Sequence, residues 1–152
     1  MMNPSAVEKA NLVKLKLMSL DSFKKANLGF QKEEYIEPTD LLGEGFKFWF
    51  SGMHSIEVSV KFNPISNGND NFTLFIYSRK IGSDFCLDDW LKIHGEENVI
   101  DAFRLLSYSG SFSDRLDAFF IYLESIFSMP ELMNILSGTE WEDVPFDWAG
   151  MK

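Results

Sequence analysis

The side chains best suited to chemistry gather in two short stretches. SDFCLDDWLKIHGEEN (83–98) sets Asp84, Asp88, Asp89, Glu96 and Glu97 around Trp90. The stretch TEWEDVPFDWAGMK (139–152) sets Glu140, Glu142, Asp143 and Asp147 around Trp141 and Trp148. Carboxylates beside tryptophan suit two kinds of work. A general acid/base pair needs one carboxyl in an apolar pocket and a second about 5–10 Å away, and composition leaves that open. A protein-binding surface needs aromatic anchors, which dominate binding energy, ringed by charges that steer a partner of opposite sign. On the second reading the candidate partner-binding residues are Asp84, Asp88, Asp89, Glu96, Glu97, Glu140, Trp141, Glu142, Asp143, Asp147 and Trp148.

The remaining reactive side chains are few. His54 and His94 are the only histidines and Cys86 the only cysteine. Neither histidine has another His or a Cys at metal-ligand spacing, and one cysteine makes neither a CxxC pair nor an internal disulfide. Neither a metal nor a cofactor is expected. A Cys–His pairing across space is conceivable, but a thiol between Phe85 and Leu87 reads first as buried and inert. GEG (43–45) and SGMHSIE (51–57) lack the glycine spacing of phosphate-cradling loops. NGNDN (67–71) carries one carboxylate where a calcium loop needs several, so it reads as a turn.

Charge narrows the partners. The chain of 152 residues has a net charge of −9, unevenly spread. Residues 1–32 hold six lysines against Glu8 and Asp21, whereas residues 84–147 hold 14 acids against Lys92, Arg104 and Arg115. Such a field disfavours nucleic acid and anionic membranes and favours a basic protein partner. Acidic charge also serves plain solubility. No window reaches about 18 apolar residues, and Lys14 and Lys16 interrupt the N-terminal apolar stretch. No membrane span and no signal peptide are expected, which points to a soluble cytoplasmic protein.

These residues need elements to hold them, and one domain spanning 1–152 is the expected unit. Pro4 and Ser5 suit a helix start and Gly29 a stop, so 4–27 reads as helix. LVKLKL (12–17) also alternates like a strand, which leaves a break there open. GFQKEEYIEP (29–38) is a candidate edge strand, its charges discouraging further pairing. FKFWF (46–50) and IEVSVKF (56–62) alternate. Ile56, Val58, Val60 and Phe62 would face inward, and Glu57, Ser59 and Lys61 would face water. With FTLFIYS (72–78), these strands form an antiparallel meander.

The second half is helical. DDWLKIHG (88–95) reads as a short helix stopped by Gly95, and GEENVIDAFRLLS (95–107) as another. From Ser111 or Ser113 a long helix carries Leu116, Phe119, Phe120, Leu123, Ile126 and Phe127 on one broad stripe suited to lie across the sheet. Pro130 opens a last short helix that Gly138 ends. The expected fold is α+β: an antiparallel meander of three to five strands, with an N-terminal helix and C-terminal helices on one face. Trp90, at i+3 from Leu87, reads as core. The tail from Trp141 to Trp148 reads as an extended clasp, with its aromatics inward and Glu142, Asp143 and Asp147 outward.

A small, acidic α+β chain with the stretches SDFCLDDWLKIHGEEN and TEWEDVPFDWAG resembles the bacterial immunity proteins made against polymorphic or contact-dependent toxins. The resemblance implies a non-enzymatic inhibitor that binds a cognate toxin, often a basic nuclease. It also implies that Asp88, Asp89, Glu142, Asp143 and Asp147 pair with basic toxin residues, and that the protein is a monomer or weak homodimer. A secretion chaperone, marked by an exposed apolar groove and a dimer, is a second reading. A small hydrolase with a carboxyl of raised pKa in a pocket is a third.

Overall fold

The computed structural model describes residues 5–39, 43–52, 55–64, 71–95 and 111–144. Within them the chain runs α1 (Ala6–Met18), α2 (Asp21–Lys25), β1 (Gly29–Ile36), β2 (Gly45–Ser51), β3 (Ile56–Asn63), β4 (Asn71–Ser78), β5 (Ser83–Cys86), α3 (Leu87–Ile93), α4 (Phe112–Phe127) and α5 (Pro130–Leu136). The five strands form one antiparallel sheet in chain order. The α+β architecture is the expected one.

Alternation decides which face is dry. Phe46, Phe48 and Phe50 of β2, Ile56, Val58, Val60 and Phe62 of β3, Leu74 and Ile76 of β4 and Phe85 of β5 are buried in one core. The helices cover that face with aromatic contacts. Phe23 of α2 lies 5.1 Å from Phe50 and 5.3 Å from Phe127 of α4, between ring centroids. Phe119 of α4 stacks on Phe72 of β4 at 4.3 Å. The predicted stripe of α4 is buried along its whole length, from Leu116 to Phe127. Each such side chain, fully removed from water, contributes about 1.5–3 kcal/mol.

The caps follow the sequence. The Ser5 and Ser111 hydroxyls accept hydrogen bonds from the N–H groups of Glu8 and Asp114, each at 3.2 Å. Helix α2 has no cap of its own, and Glu124 of α4 supplies one across space. Its carboxylate accepts from the N–H groups of Asp21 at 2.6 Å and Ser22 at 3.3 Å.

Several expectations need correction. The first helical segment does break, but at Ser19–Leu20 and not within residues 12–17. Val13 and Leu17, one helical turn apart, are both fully buried, so a helix satisfies the core there and a strand would not. The Ser19 hydroxyl donates to the Lys16 carbonyl at 2.9 Å, a local bond that competes with helix continuation. Ser59, expected to face water, is 6% exposed because Trp49 and Phe75 flank it on the neighbouring strands. Residues 83–86, read only as part of an acidic cluster, form the fifth strand. Residues 96–107 of the helix expected over 95–107, residues 67–70 of the turn expected over 67–71, His54 and the tail beyond Val144 lie outside the described residues, and Asn71 opens β4.

Candidate protein-binding edge

The described part of the acidic cluster, residues 83–95, falls where the sheet ends. Strand β5 carries Asp84 outward, exposed, and Phe85 inward. Cys86 then caps α3 with extended backbone, and the helix begins with Leu87. Asp88 and Asp89 occupy its first turn, where the helix dipole favours negative charge. Leu87, Trp90 and Leu91 are buried, so α3 is anchored by one face. Gly95, at φ +72, ends it as expected.

Glu142 fastens the described part of the tail to this helix. The Trp90 indole, fully buried, donates its Nε1–H to Glu142 Oε1 at 3.2 Å. His94 Nε2 lies 2.9 Å from both oxygens of the same carboxylate. The Trp90 and His94 rings stack at 4.0 Å, inclined by 23°. Residues i and i+4 of a helix share a face, which is why both rings meet one acid. Glu142 is therefore turned toward α3 and half-buried, where the expected clasp had it outward. A buried indole N–H needs an acceptor, and Glu142 provides it.

Trp141 packs half-buried against Phe85, with ring centroids 5.3 Å apart. It is an anchor, as the sequence suggested, and it binds the sheet edge. The turn leading to it is fixed by Gly138 at φ +76 and by the Thr139 N–H, which donates to the Asn134 carbonyl at 3.0 Å. Glu140 and Asp143 flank the anchor and are exposed.

The structure thus brings Asp84, Asp88, Asp89, Glu140, Trp141, Glu142 and Asp143 to one edge. Helix α3 has seven residues and is about 10 Å long, so the acids at its two ends lie within about one Debye length of each other. Glu96, Glu97, Asp147 and Trp148 lie outside the described residues. Burial pushes the Cys86 thiol up, opposed by the backbone of Asp88 and reinforced by the Asp88 and Asp89 carboxylates. A thiol held protonated is a poor nucleophile, in keeping with an inert cysteine.

His94 is the functional neighbour that sequence reasoning undervalued, and its i+4 spacing from Trp90 was the available signal. Among the described residues, no group of three or more His, Cys, Asp and Glu side chains could hold a metal ion. No single helix among them is long and apolar enough to cross a membrane. No protein-family model, no curated protein and no solved structure matches the chain.

Proposed function

We propose that this chain is a protein-binding inhibitor of the immunity type, and that its acidic edge engages a basic protein such as a toxin. One observation carries the reading. Glu142 ties the tail to α3 through Trp90 and His94, so that acids from two distant parts of the sequence share one supported rim. A rim held in place loses little side-chain and loop freedom on binding, which favours affinity. Its charge speeds encounter with a basic partner and makes that encounter salt-sensitive.

The test is capture from the native host at low salt and at about 0.5 M salt, where screening is short-ranged. Wild-type protein is compared with Asp88→Lys/Asp89→Lys/Asp143→Lys. Recovery of one basic protein by wild type at low salt only, and not by the variant, supports the reading. Co-expression then asks whether the wild-type chain suppresses the toxicity of that protein. Equal recovery by both chains would refute it.

A secretion-chaperone role is the second reading. It is favoured by a different observation: Leu12, Leu15 and Met18 of α1 are exposed, Leu15 by 62%. Apolar surface of this kind suits a client segment. Binding of an apolar peptide that survives 0.5 M salt would favour it over the inhibitor.

A further inference from the structure

The sheet has a second face, and among the described residues the ring contacts from the helices all reach the opposite one. Its outward residues form three rows across the strands. The central row is Lys32, Trp49, Ser59, Phe75 and Cys86. On one side lie Glu34, Lys47, Lys61 and Thr73. On the other lie Ser51, Glu57, Tyr77 and Asp84. The centre is aromatic, with Phe75 36% exposed beside the small Ser59.

Two features of this face are unfavourable in a single copy. Lys47 and Lys61 stand directly opposite each other on paired strands, a like-charge arrangement that destabilises a sheet. The Lys47 ammonium rests 4.2 Å from the Trp49 ring centroid, and Lys61 makes no ion pair with a described residue. In addition, the Trp49 Nε1–H is buried without an acceptor, where an unsatisfied donor carries a desolvation cost.

We propose that this face is self-complementary and that two copies of the chain dimerise through it. On β3, Lys61 and Glu57 lie two residues to either side of Ser59. A two-fold axis in the plane between two facing sheets, running along the Trp49–Ser59–Phe75 row, exchanges the two outer rows. Lys61 of each copy then faces Glu57 of the other. Lys47 comes over Ser51, next to that same glutamate. Trp49 and Phe75 meet their counterparts at the centre, where ring burial is gained and not an indole hydrogen bond, an indole N–H being a donor only. The like-charged pair of one copy is thereby set against the acidic row of the other, which is the residue-to-residue reciprocity a two-fold interface requires.

The size fits a weak dimer. Five strands about 4.8 Å apart and some 20 Å long give a footprint of roughly 500 Å² per copy. The total of about 1,000 Å² sits at the lower limit of specific interfaces. This surface is separate from the acidic rim apart from Asp84, and the inhibitor reading does not depend on it.

Sedimentation of the full chain across micromolar to near-millimolar concentration tests the proposal. Wild type is expected to dimerise reversibly. Lys61→Glu and Glu57→Lys are each expected to weaken dimerisation by roughly tenfold or more, since each sets like charges against one another at two symmetric places. The double exchange Lys61→Glu/Glu57→Lys restores it. Because Glu57 also pairs with Arg79 at 3.6 Å, thermal unfolding of each variant confirms that it is folded, and Lys61→Glu alone carries the first test. A wild-type chain that stays monomeric throughout overturns the proposal. So does a dimer indifferent to both reversals, or a monomer that instead binds a single-stranded oligonucleotide through Trp49 and Lys47.

Discussion

At the β5–α3 edge Trp90 is fully buried and a carboxylate accepts its indole N–H. On the outward sheet face Trp49 lies half-buried between Lys32 and Lys47, at 5.2 and 4.2 Å, and its N–H has no acceptor among the described residues. The two places use the same residue type against opposite charges. Where the acid completes the tryptophan, the result is a latch that fixes two chain segments together. Where lysines cover it, charge and donor are left over, and those are the properties of a surface that another molecule completes. Tryptophan near charge does not by itself mark a binding site. What matters is whether the charge is already spent inside the fold.

The largest effect is expected at the layer both regions share. Phe120, 6% exposed on α4, packs in the core under the sheet. Phe120→Ala is expected to destabilise the protein by about 3–5 kcal/mol in denaturant unfolding. An unchanged midpoint would mean that the helical layer does not support either surface.

A smaller effect is expected at the latch. Glu142→Ala leaves the buried Trp90 N–H without its acceptor, at a cost of about 1–3 kcal/mol. Glu142→Gln keeps an acceptor and recovers part of that loss. Trp90 fluorescence should shift in the alanine variant and change little in the glutamine one. If both variants match wild type, the tail is not held by this contact.

Asp88, Asp89 and Asp143 of the rim should behave differently. Reversing Asp88 and Asp89 removes favourable charge from the first turn of α3, worth roughly 0.3–1 kcal/mol at each position. Asp143 lies outside any helix and should cost less still. Thermal unfolding of the triple variant would check this, with a large drop in midpoint arguing that these acids are structural, like Glu142.

The smallest expected effect concerns Cys86. Its thiol is held above the usual range chiefly by burial, so the folded chain holds the proton more tightly than the unfolded one. Any stability from this group is present below the unfolded pKa and is lost as pH rises through the folded one. Alkylation at mildly alkaline pH should be slower in the folded protein than in the urea-unfolded chain. Equal rates would show that the thiol is not shielded.

Much of the fold could be read from periodicity. Phe46 to Phe50, Ile56 to Phe62 and the stripe from Leu116 to Phe127 each repeat with one period over several positions, and each became the predicted element. The break at Ser19–Leu20 was harder to read, because LVKLKL satisfies both periods and only burial of Val13 with Leu17 decides between them. Strand β5 has four residues, too short for alternation to register. The candidate edge was legible as composition and not as geometry. Acids around Trp90 and Trp141 stand out in the sequence, but which carboxylate turns inward depends on residues 52 positions apart meeting in space. The outward face was also visible, as the polar half of IEVSVKF. Its neighbours were not, because they come from strands whose register sequence alone does not set.

The binding role of the acidic edge is tested by the rate at which the captured basic partner associates with wild type and with the Asp88, Asp89 and Asp143 reversal, by stopped flow at low salt. The expected result is fast association that slows by roughly tenfold or more in the reversal variant and slows in wild type as salt rises. Association that is indifferent to both the reversal and salt would contradict a binding role for the acidic edge.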